Sequence, residues 1–242
     1  MHVIFAIALV LSIAAKDPPA TTPPRVDVVY ETDDALNAAW AALLQLDGRV
    51  ARLTDAASRV VPWGHPLPVS FQECGSINAY YFHEPPRVVV CYEFMDFIFD
   101  AFASVSATEE AAIDATISAT VGVLAHELGH ATVAALDLPI VARGEDVADA
   151  FAVWVMARLL RDTGPTVAMG QFWRLLHLAG ETGSAEDEHS PTLVRYYNWV
   201  CWSYGADPDG NAWLAAPLGD RIDECADEYA QIDRSWIRLL TL

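Results

Sequence analysis

His126-Glu127-Leu128-Gly129-His130 is the stretch of sequence that decides the fold. Two histidines four residues apart lie one above the other on the same face of an α-helix, so both imidazoles can bind one metal ion. Glu127 lies one step round that helix, where its carboxylate can accept a proton from a water molecule at the metal. The stretch therefore predicts a hydrolytic zinc site with His126 and His130 as ligands and Glu127 as the catalytic base.

The residues around this stretch predict a long, buried helix. Thr108 followed by Glu110 is a helix start signal, and the Ala-rich segment 111–125 continues with apolar residues at helical spacing. The nearest flanking residues are almost wholly apolar: Val121, Val123 and Leu124 before the motif, and Val133, Leu136 and Leu138 after it. These flanks disfavour the alternative, a His/Glu pair on an exposed helix. Three ionisable groups in a buried helix are costly unless they share a metal ion or each other.

A second pair of side chains with the same four-residue spacing follows, Glu145 and Asp149. One carboxylate can complete the protein ligands of the metal, and the other can accept the free N–H of a ligand histidine. Pro139 and Gly144 fit a break between the two helices, which must turn back for the motifs to meet. The alternative is that Glu145 and Asp146 are first-turn acids that only complement a helix dipole. We adopt that interpretation for Asp146 and not for Glu145.

The type of zinc site is indicated by comparison with known protease motifs. Val133 and Leu136 occupy the positions where metzincin-like proteases carry glycine and histidine, so that pattern is absent. Glu145 and Asp149 instead form a Glu-x-x-x-Asp run that resembles the second motif of the gluzincins, the thermolysin-like peptidases. The resemblance implies that Glu145 is the third zinc ligand and that Asp149 orients the ligand His126.

His189 is the candidate for stabilising the oxyanion during catalysis. It lies in a predicted loop after the ligand helix, as the oxyanion histidine of thermolysin-like enzymes lies downstream of their glutamate. Asp187 or Glu188 could hold it in position or raise its pKa. The alternative is a surface histidine that caps the next helix near Ser190-Pro191. Arg195 is a weaker candidate, which could form a structural ion pair with Glu188.

The chain is also similar to a family of bacterial secreted proteins classed as metallopeptidases. The similarity runs from about Leu36 to Trp236 and covers these stretches: Asn78 to Phe82, Val90 to Glu93, the His126–His130 motif, Glu145 to Asp149, Asp187 to Ser190, and Arg195 to Asn198. It supports an α+β, zincin-like fold for residues 31–242. We expect one mostly helical domain with a small antiparallel sheet packed beside the helix of the His126–His130 motif.

The sheet is predicted from short runs of β-branched and aromatic residues between turn signals. The candidate strands lie at 69–71, 79–82 and 88–90, and the last two form a hairpin around Pro85-Pro86. In gluzincin folds a sheet edge beside the active-site helix receives the substrate chain as an added strand. Either flank of this hairpin could be that edge.

The N-terminus predicts export. Residues 3–15 are an apolar run that is too short to span a bilayer and ends in small residues, as in a signal peptide. An uncut membrane anchor is the alternative. We expect a signal peptide at 1–15, a disordered proline-rich leader at 16–30, and a secreted or periplasmic protein without a stable membrane anchor after cleavage.

Four cysteines in an exported chain predict two disulfides. Three pairings are possible, and Cys74–Cys91 with Cys201–Cys225 is favoured because each bond closes a local loop. A second metal site is disfavoured, since the chain has no Cys-x-x-Cys pair.

Composition narrows the possible partners. The formal charge of −19 argues against nucleic acid, which requires clustered Lys and Arg. We expect a peptide or protein substrate. One alternative is a zinc-bound but catalytically inactive binding or assembly protein, and another is hydrolysis of a non-peptide amide by the same zinc chemistry.

Overall fold

The computed structural model of the protein describes residues 25–184 and 186–241. The predicted signal peptide and the part of the predicted leader before Arg25 lie outside the described residues. Among the helices of the described residues, none has the length and apolarity that crossing a membrane requires.

The described chain is mostly helical, with one small sheet, so the α+β prediction is confirmed. The strands are β1 (Val26–Tyr30), β2 (Leu67–Gln72), β3 (Ala79–His83) and β4 (Pro86–Cys91). The helices are α1 (Ala35–Asp47), α2 (Arg49–Val60), α3 (Tyr92–Ala103), α4 (Glu109–Ala135), α5 (Gly144–Trp154), α6 (Gly164–Leu178), α7 (Thr192–Ala206), α8 (Ala215–Leu218) and α9 (Ile222–Leu239). A π-helical segment, Val155–Leu160, extends α5.

The sheet is mixed, which corrects the expectation of an antiparallel sheet. Its strand order is β1-β2-β4-β3, and β2 is parallel to both β1 and β4. Helices α1 and α2 lie between β1 and β2 in the sequence and supply the long connection that parallel strands need. Only β3 and β4 form the predicted antiparallel hairpin.

Strand β1 corrects the predicted leader, because Val26–Tyr30 are ordered within residues 16–30. Val26, Val28 and Tyr30 alternate along the strand and pack on the core. Tyr30 stacks on Phe71 of β2 with ring centroids 5.0 Å apart. This period of two is the pattern of a strand with one buried face. The prolines before Arg25 obscured it in the sequence.

Helix α4 runs through the centre of the molecule. It packs against α3, α5, α6, β3 and β4, and its residues from Thr116 to Gly129 are all buried. A helix that is enclosed on every side explains why its sequence lacks a polar face.

The two predicted disulfides are present. Cys74–Cys91 joins the loop after β2 to the end of β4, and Cys201–Cys225 joins α7 to α9. The carboxylate of Glu93 further fixes the first loop by accepting hydrogen bonds from the backbone amides of Cys74 and Gly75.

Candidate metal centre

Helix α4 holds three of the predicted site residues on its inner turns. The Thr108 side chain caps the helix by accepting a hydrogen bond from the amide of Ala111, as its sequence position predicts. His126 and Glu127 are only 6% and 7% exposed. His130 lies one turn further on and is partly exposed, so the cluster opens toward its side of the helix.

Helix α5 brings the two predicted carboxylates to these histidines. A Cβ atom on Gly129 would lie 2.9 Å from Cα of Ala148, so the glycine permits a close approach of α4 and α5. Ala148 is the residue before Asp149, and Glu145 lies one turn earlier on the same face. The small residue inside the His126–His130 motif is therefore part of how the site is assembled.

His126, His130 and Glu145 form a compact cluster. The Nε2 atoms of the two histidines are 3.1 Å apart. Oε2 of Glu145 lies 3.1 Å from Nε2 of His126, and its Oε1 lies 3.1 Å from Nε2 of His130. Two imidazole nitrogens and one carboxylate are one of the donor sets found in catalytic zinc sites.

The spacing and the orphaned oxygen of this cluster both fit a metal ion. Zinc bonds of about 2.0–2.2 Å in a tetrahedron place neighbouring ligand atoms about 3.3 Å apart. Glu145 Oε2 is buried and accepts no hydrogen bond from the described residues, although two imidazole nitrogens lie close to it. A buried carboxylate oxygen without a hydrogen bond is costly, and a shared cation removes that cost.

Asp149 contacts the ring nitrogen of His126 that faces away from the cluster. Its Oδ1 lies 2.7 Å from Nδ1 of His126, which leaves Nε2 directed at the cluster. The carboxylate also accepts two hydrogen bonds from Arg195, from Nε at 2.9 Å and from Nη2 at 2.5 Å. Burial alone would raise the pKa of Asp149, but the Arg195 charge and the His126 hydrogen bond hold it well below its usual range. The carboxylate is therefore ionised and can fix the His126 tautomer.

The charged groups of the cluster shift each other's protonation. Burial alone would lower the pKa of His126, but its hydrogen bond with Asp149 and its close contact with the Glu145 carboxylate raise that pKa to about 9 in the metal-free chain. Burial raises the pKa of the Glu127 carboxyl. A raised pKa makes a carboxylate a stronger base, as proton abstraction from water requires.

His189 reaches the cluster from the loop before α7. Its Nε2 lies 3.0 Å from Oε2 of Glu145, and its Nδ1 lies 3.1 Å from Oδ1 of Asp187. The close contact with the Glu145 carboxylate raises the pKa of His189, which favours the protonated, donating form. Ser190 donates a hydrogen bond to Asp146 on α5 and so ties this loop to the ligand helix.

The structure thus brings together all six predicted site residues: His126, Glu127, His130, Glu145, Asp149 and His189. Arg195 is the residue whose position differs from the expectation. It pairs with Asp149 rather than with Glu188, is 4% exposed, and stacks on Trp173 with its Cζ 4.0 Å from the ring centroid. An arginine within the apolar and aromatic α7 was the available signal, since a buried charge needs a buried partner.

A family model described as "Putative metallopeptidase" matches residues 30–240 of the chain. The chain belongs to this family. The match includes every residue of the cluster, and the metallopeptidase description is consistent with a metal site at His126, His130 and Glu145. No curated protein and no solved structure matches the chain.

Proposed function

We propose that the protein is a zinc metallopeptidase that hydrolyses peptide bonds, with Glu127 as its general base. The observation that carries the proposal is the convergence of two imidazoles and one carboxylate beside a buried glutamate that is not part of the ligand set. Three protein ligands leave a fourth position for water or substrate, whereas structural zinc sites normally fill all four with protein. A separate buried base is useful only if that position supports chemistry.

His126, His130 and Glu145 would hold the ion. When bound, zinc supplies Lewis-acid chemistry that lowers the pKa of water and polarises a carbonyl group. Glu127 removes a proton from the attacking water as the C–O bond forms. The same carboxyl group then delivers that proton to the amide nitrogen as the C–N bond breaks, which releases a carboxylic acid and an amine.

His189 is suited to stabilise the oxyanion, because its raised pKa favours a donating imidazolium and it reaches the same cluster. Asp187 accepts a hydrogen bond from the His189 amide at 2.9 Å and contacts its imidazole, which restricts the orientation of the side chain. A preorganised donor next to the reacting carbonyl is the usual means of stabilising developing negative charge.

The outer strand β3 is suited to bind an extended substrate. It lies at the end of the sheet and contacts α4. Ala79, the first residue of β3, and Asn78 just before it line the same pocket as His126 and Glu127. A peptide that pairs with β3 would therefore pass the cluster, and main-chain hydrogen bonds would hold it in register.

We further propose that the protein works outside the cytosol. The two disulfides support this, because persistent disulfides belong to oxidising compartments.

The test is peptide cleavage by the zinc-loaded, oxidised protein beside Glu127→Gln, with metal content measured on the same samples. Glu109→Gln is the matched control, since it makes the same change at the exposed first turn of α4. We expect equal zinc in all three proteins and cleavage in wild type and Glu109→Gln only. Cleavage by Glu127→Gln at the wild-type rate would refute the mechanism, and cleavage by none of the proteins would refute the proposed activity.

A further inference from the structure

A narrow pocket of about 50 Å³ lies beside the metal cluster. Glu127 and His126 form part of its wall, so a group bound in it would lie next to the reacting atoms. His130 and Glu145 are not among the described residues that line it, which places the pocket on the Glu127 side of the cluster. Its volume is therefore separate from the position that the metal ion would take.

The pocket has an exposed rim and a buried floor. Among its lining residues, Asn78 is exposed and His189 is partly exposed, whereas Val123, Met169 and Trp199 are only 4%, 2% and 0% exposed. A side chain could thus enter from the solvent past the first two residues and would end against the last three.

The floor is fixed by the close packing of α4 and α6. A Cβ atom on Gly122, the residue before Val123, would lie 2.9 Å from the carbonyl oxygen of Pro165 and 3.0 Å from Cβ of Met169. The glycine therefore lets α6 approach α4, and this approach carries Met169 to the pocket. Because protein interiors are close-packed, such a floor does not give way easily.

The side walls are also apolar. Phe94 on α3 and Trp173 on α6 line the pocket, and both rings pack against Phe172, with ring centroids 5.9 and 5.5 Å away. The polar lining residues other than Asn78 belong to the metal centre described above. The inner part of the pocket therefore favours an apolar group, since burial of apolar surface is favourable and burial of an unpaired polar group is costly.

The volume of the pocket limits the size of that group. A water-sized sphere takes about 10–15 Å³ on this measure, so the pocket has room for about three or four non-hydrogen atoms. Alanine and valine side chains fit within this number, leucine reaches the limit, and a phenylalanine ring exceeds it. A larger side chain would have to displace the packed floor.

We propose that this pocket restricts the residue on one side of the cleaved bond to a small apolar side chain, alanine or valine. The proposal rests on the proposed peptidase function, because the pocket is defined by its place beside Glu127 and His126. Met169 and Val123 are the residues that set the limit, since they close the floor.

The test uses peptides that are blocked at both ends and carry glycine, alanine, valine or phenylalanine next to the cleaved bond, varied on each side in turn. On one side, we expect kcat/KM for alanine and valine to exceed that for phenylalanine by roughly tenfold or more, because an oversized side chain strains packed walls. Glycine should also be cleaved more slowly than valine, since it leaves the apolar pocket empty. The proposal is overturned if neither side of the bond shows this order.

Variants of the floor locate the effect. Met169→Ala and Val123→Ala, made separately, should each raise kcat/KM for phenylalanine relative to valine by roughly tenfold, and Val123→Ala serves if Met169→Ala does not fold. Met156→Ala is the matched control, because Met156 is 0% exposed but lies outside the lining of this pocket. An unchanged ratio in the folded floor variants, or an equal rise in Met156→Ala, would overturn the proposal.

A binding measurement separates this proposal from the proposed function. Zinc-loaded Glu127→Gln is titrated calorimetrically with the valine and phenylalanine peptides. If no protein cleaves any peptide, the peptidase function fails; tighter binding of the valine peptide would still support the size limit, and any other result would overturn it. Cleavage by wild type with equal affinity and equal kcat/KM for both peptides would overturn the size limit and leave the peptidase function intact.

Discussion

Replacement of Asp149 by asparagine should destabilise both the fold and the metal centre. Asp149 is 1% exposed and contacts Nδ1 of His126 as well as Nε and Nη2 of Arg195. Asparagine keeps one acceptor oxygen and replaces the other with an NH₂ group, which cannot accept. The buried Arg195 guanidinium then loses its counter-ion while it remains out of water.

The size of the expected loss in unfolding free energy follows from the burial of the Asp149–Arg195 ion pair. Removal of one partner from a buried ion pair costs about 3–5 kcal/mol, whereas a typical domain is stable by only about 5–15 kcal/mol. The loss of the partner of a ligand histidine weakens metal binding by about 10–100-fold. We therefore expect a large drop in the urea midpoint of the metal-free Asp149→Asn protein. We also expect its zinc Kd to rise by about 10–100-fold.

The assay is urea unfolding followed by tryptophan fluorescence, with zinc affinity measured by competition with a chelator. Asp146→Asn is the matched control on the same helix, because it affects a hydrogen bond from Ser190 and a first-turn charge and should cost about 1 kcal/mol. Adding Arg195→Met to Asp149→Asn should recover part of the lost stability by removing the unpaired charge. The reasoning is refuted if Asp149→Asn matches Asp146→Asn in both urea midpoint and zinc affinity.

Three further predictions concern the packing, the pH dependence and the oxyanion. Gly129→Ala should lower the unfolding free energy by about 1–3 kcal/mol, because the new Cβ would lie 2.9 Å from Cα of Ala148. This loss should exceed the gain from the higher helix propensity of alanine. A variant that is more stable than wild type in urea unfolding would contradict the close approach of the two helices. Backbone hydrogen bonds outweigh the effect of burial and hold the pKa of Glu93 below its usual 4.5, so the carboxylate stabilises the fold above that pH and the stabilisation is lost on acidification. Glu93→Gln should therefore be less stable than wild type by about 1 kcal/mol at pH 7, with a difference that shrinks below pH 4.5 in unfolding curves, and a difference that grows with acid would contradict the assignment. His189→Asn should lower kcat by about 10²–10³-fold with zinc content unchanged, and an unchanged kcat would remove His189 from the mechanism.

The cluster was predictable from the sequence because its parts lie on helices with a fixed spacing. His126 and His130 on α4, and Glu145 and Asp149 on α5, are each four residues apart, and this spacing alone places each pair on one face. The apolar residues around the first motif indicated burial, and buried charges need one another or a metal. The resemblance to gluzincins then assigned the roles of Glu145 and Asp149.

The parts that escaped prediction depend on contacts that are distant in the sequence. Arg195 forms an ion pair with Asp149, which lies 46 positions earlier in the sequence, and the local sequence of α7 does not indicate that partner. The parallel pairing of β1 with β2 depends on how α1 and α2 cross over the sheet, which the strand sequences do not encode. The pocket beside Glu127 depends on the packing of α3, α6 and α7, so its volume could be read only from the structure.

The most direct test of the account is a crystal structure of the zinc-loaded protein with anomalous data collected at the zinc absorption edge. We expect one zinc ion per chain, about 2.0–2.2 Å from Nε2 of His126, Nε2 of His130 and a carboxylate oxygen of Glu145. No anomalous peak at this cluster after zinc reconstitution, or a peak bound by other residues, would contradict the central claim.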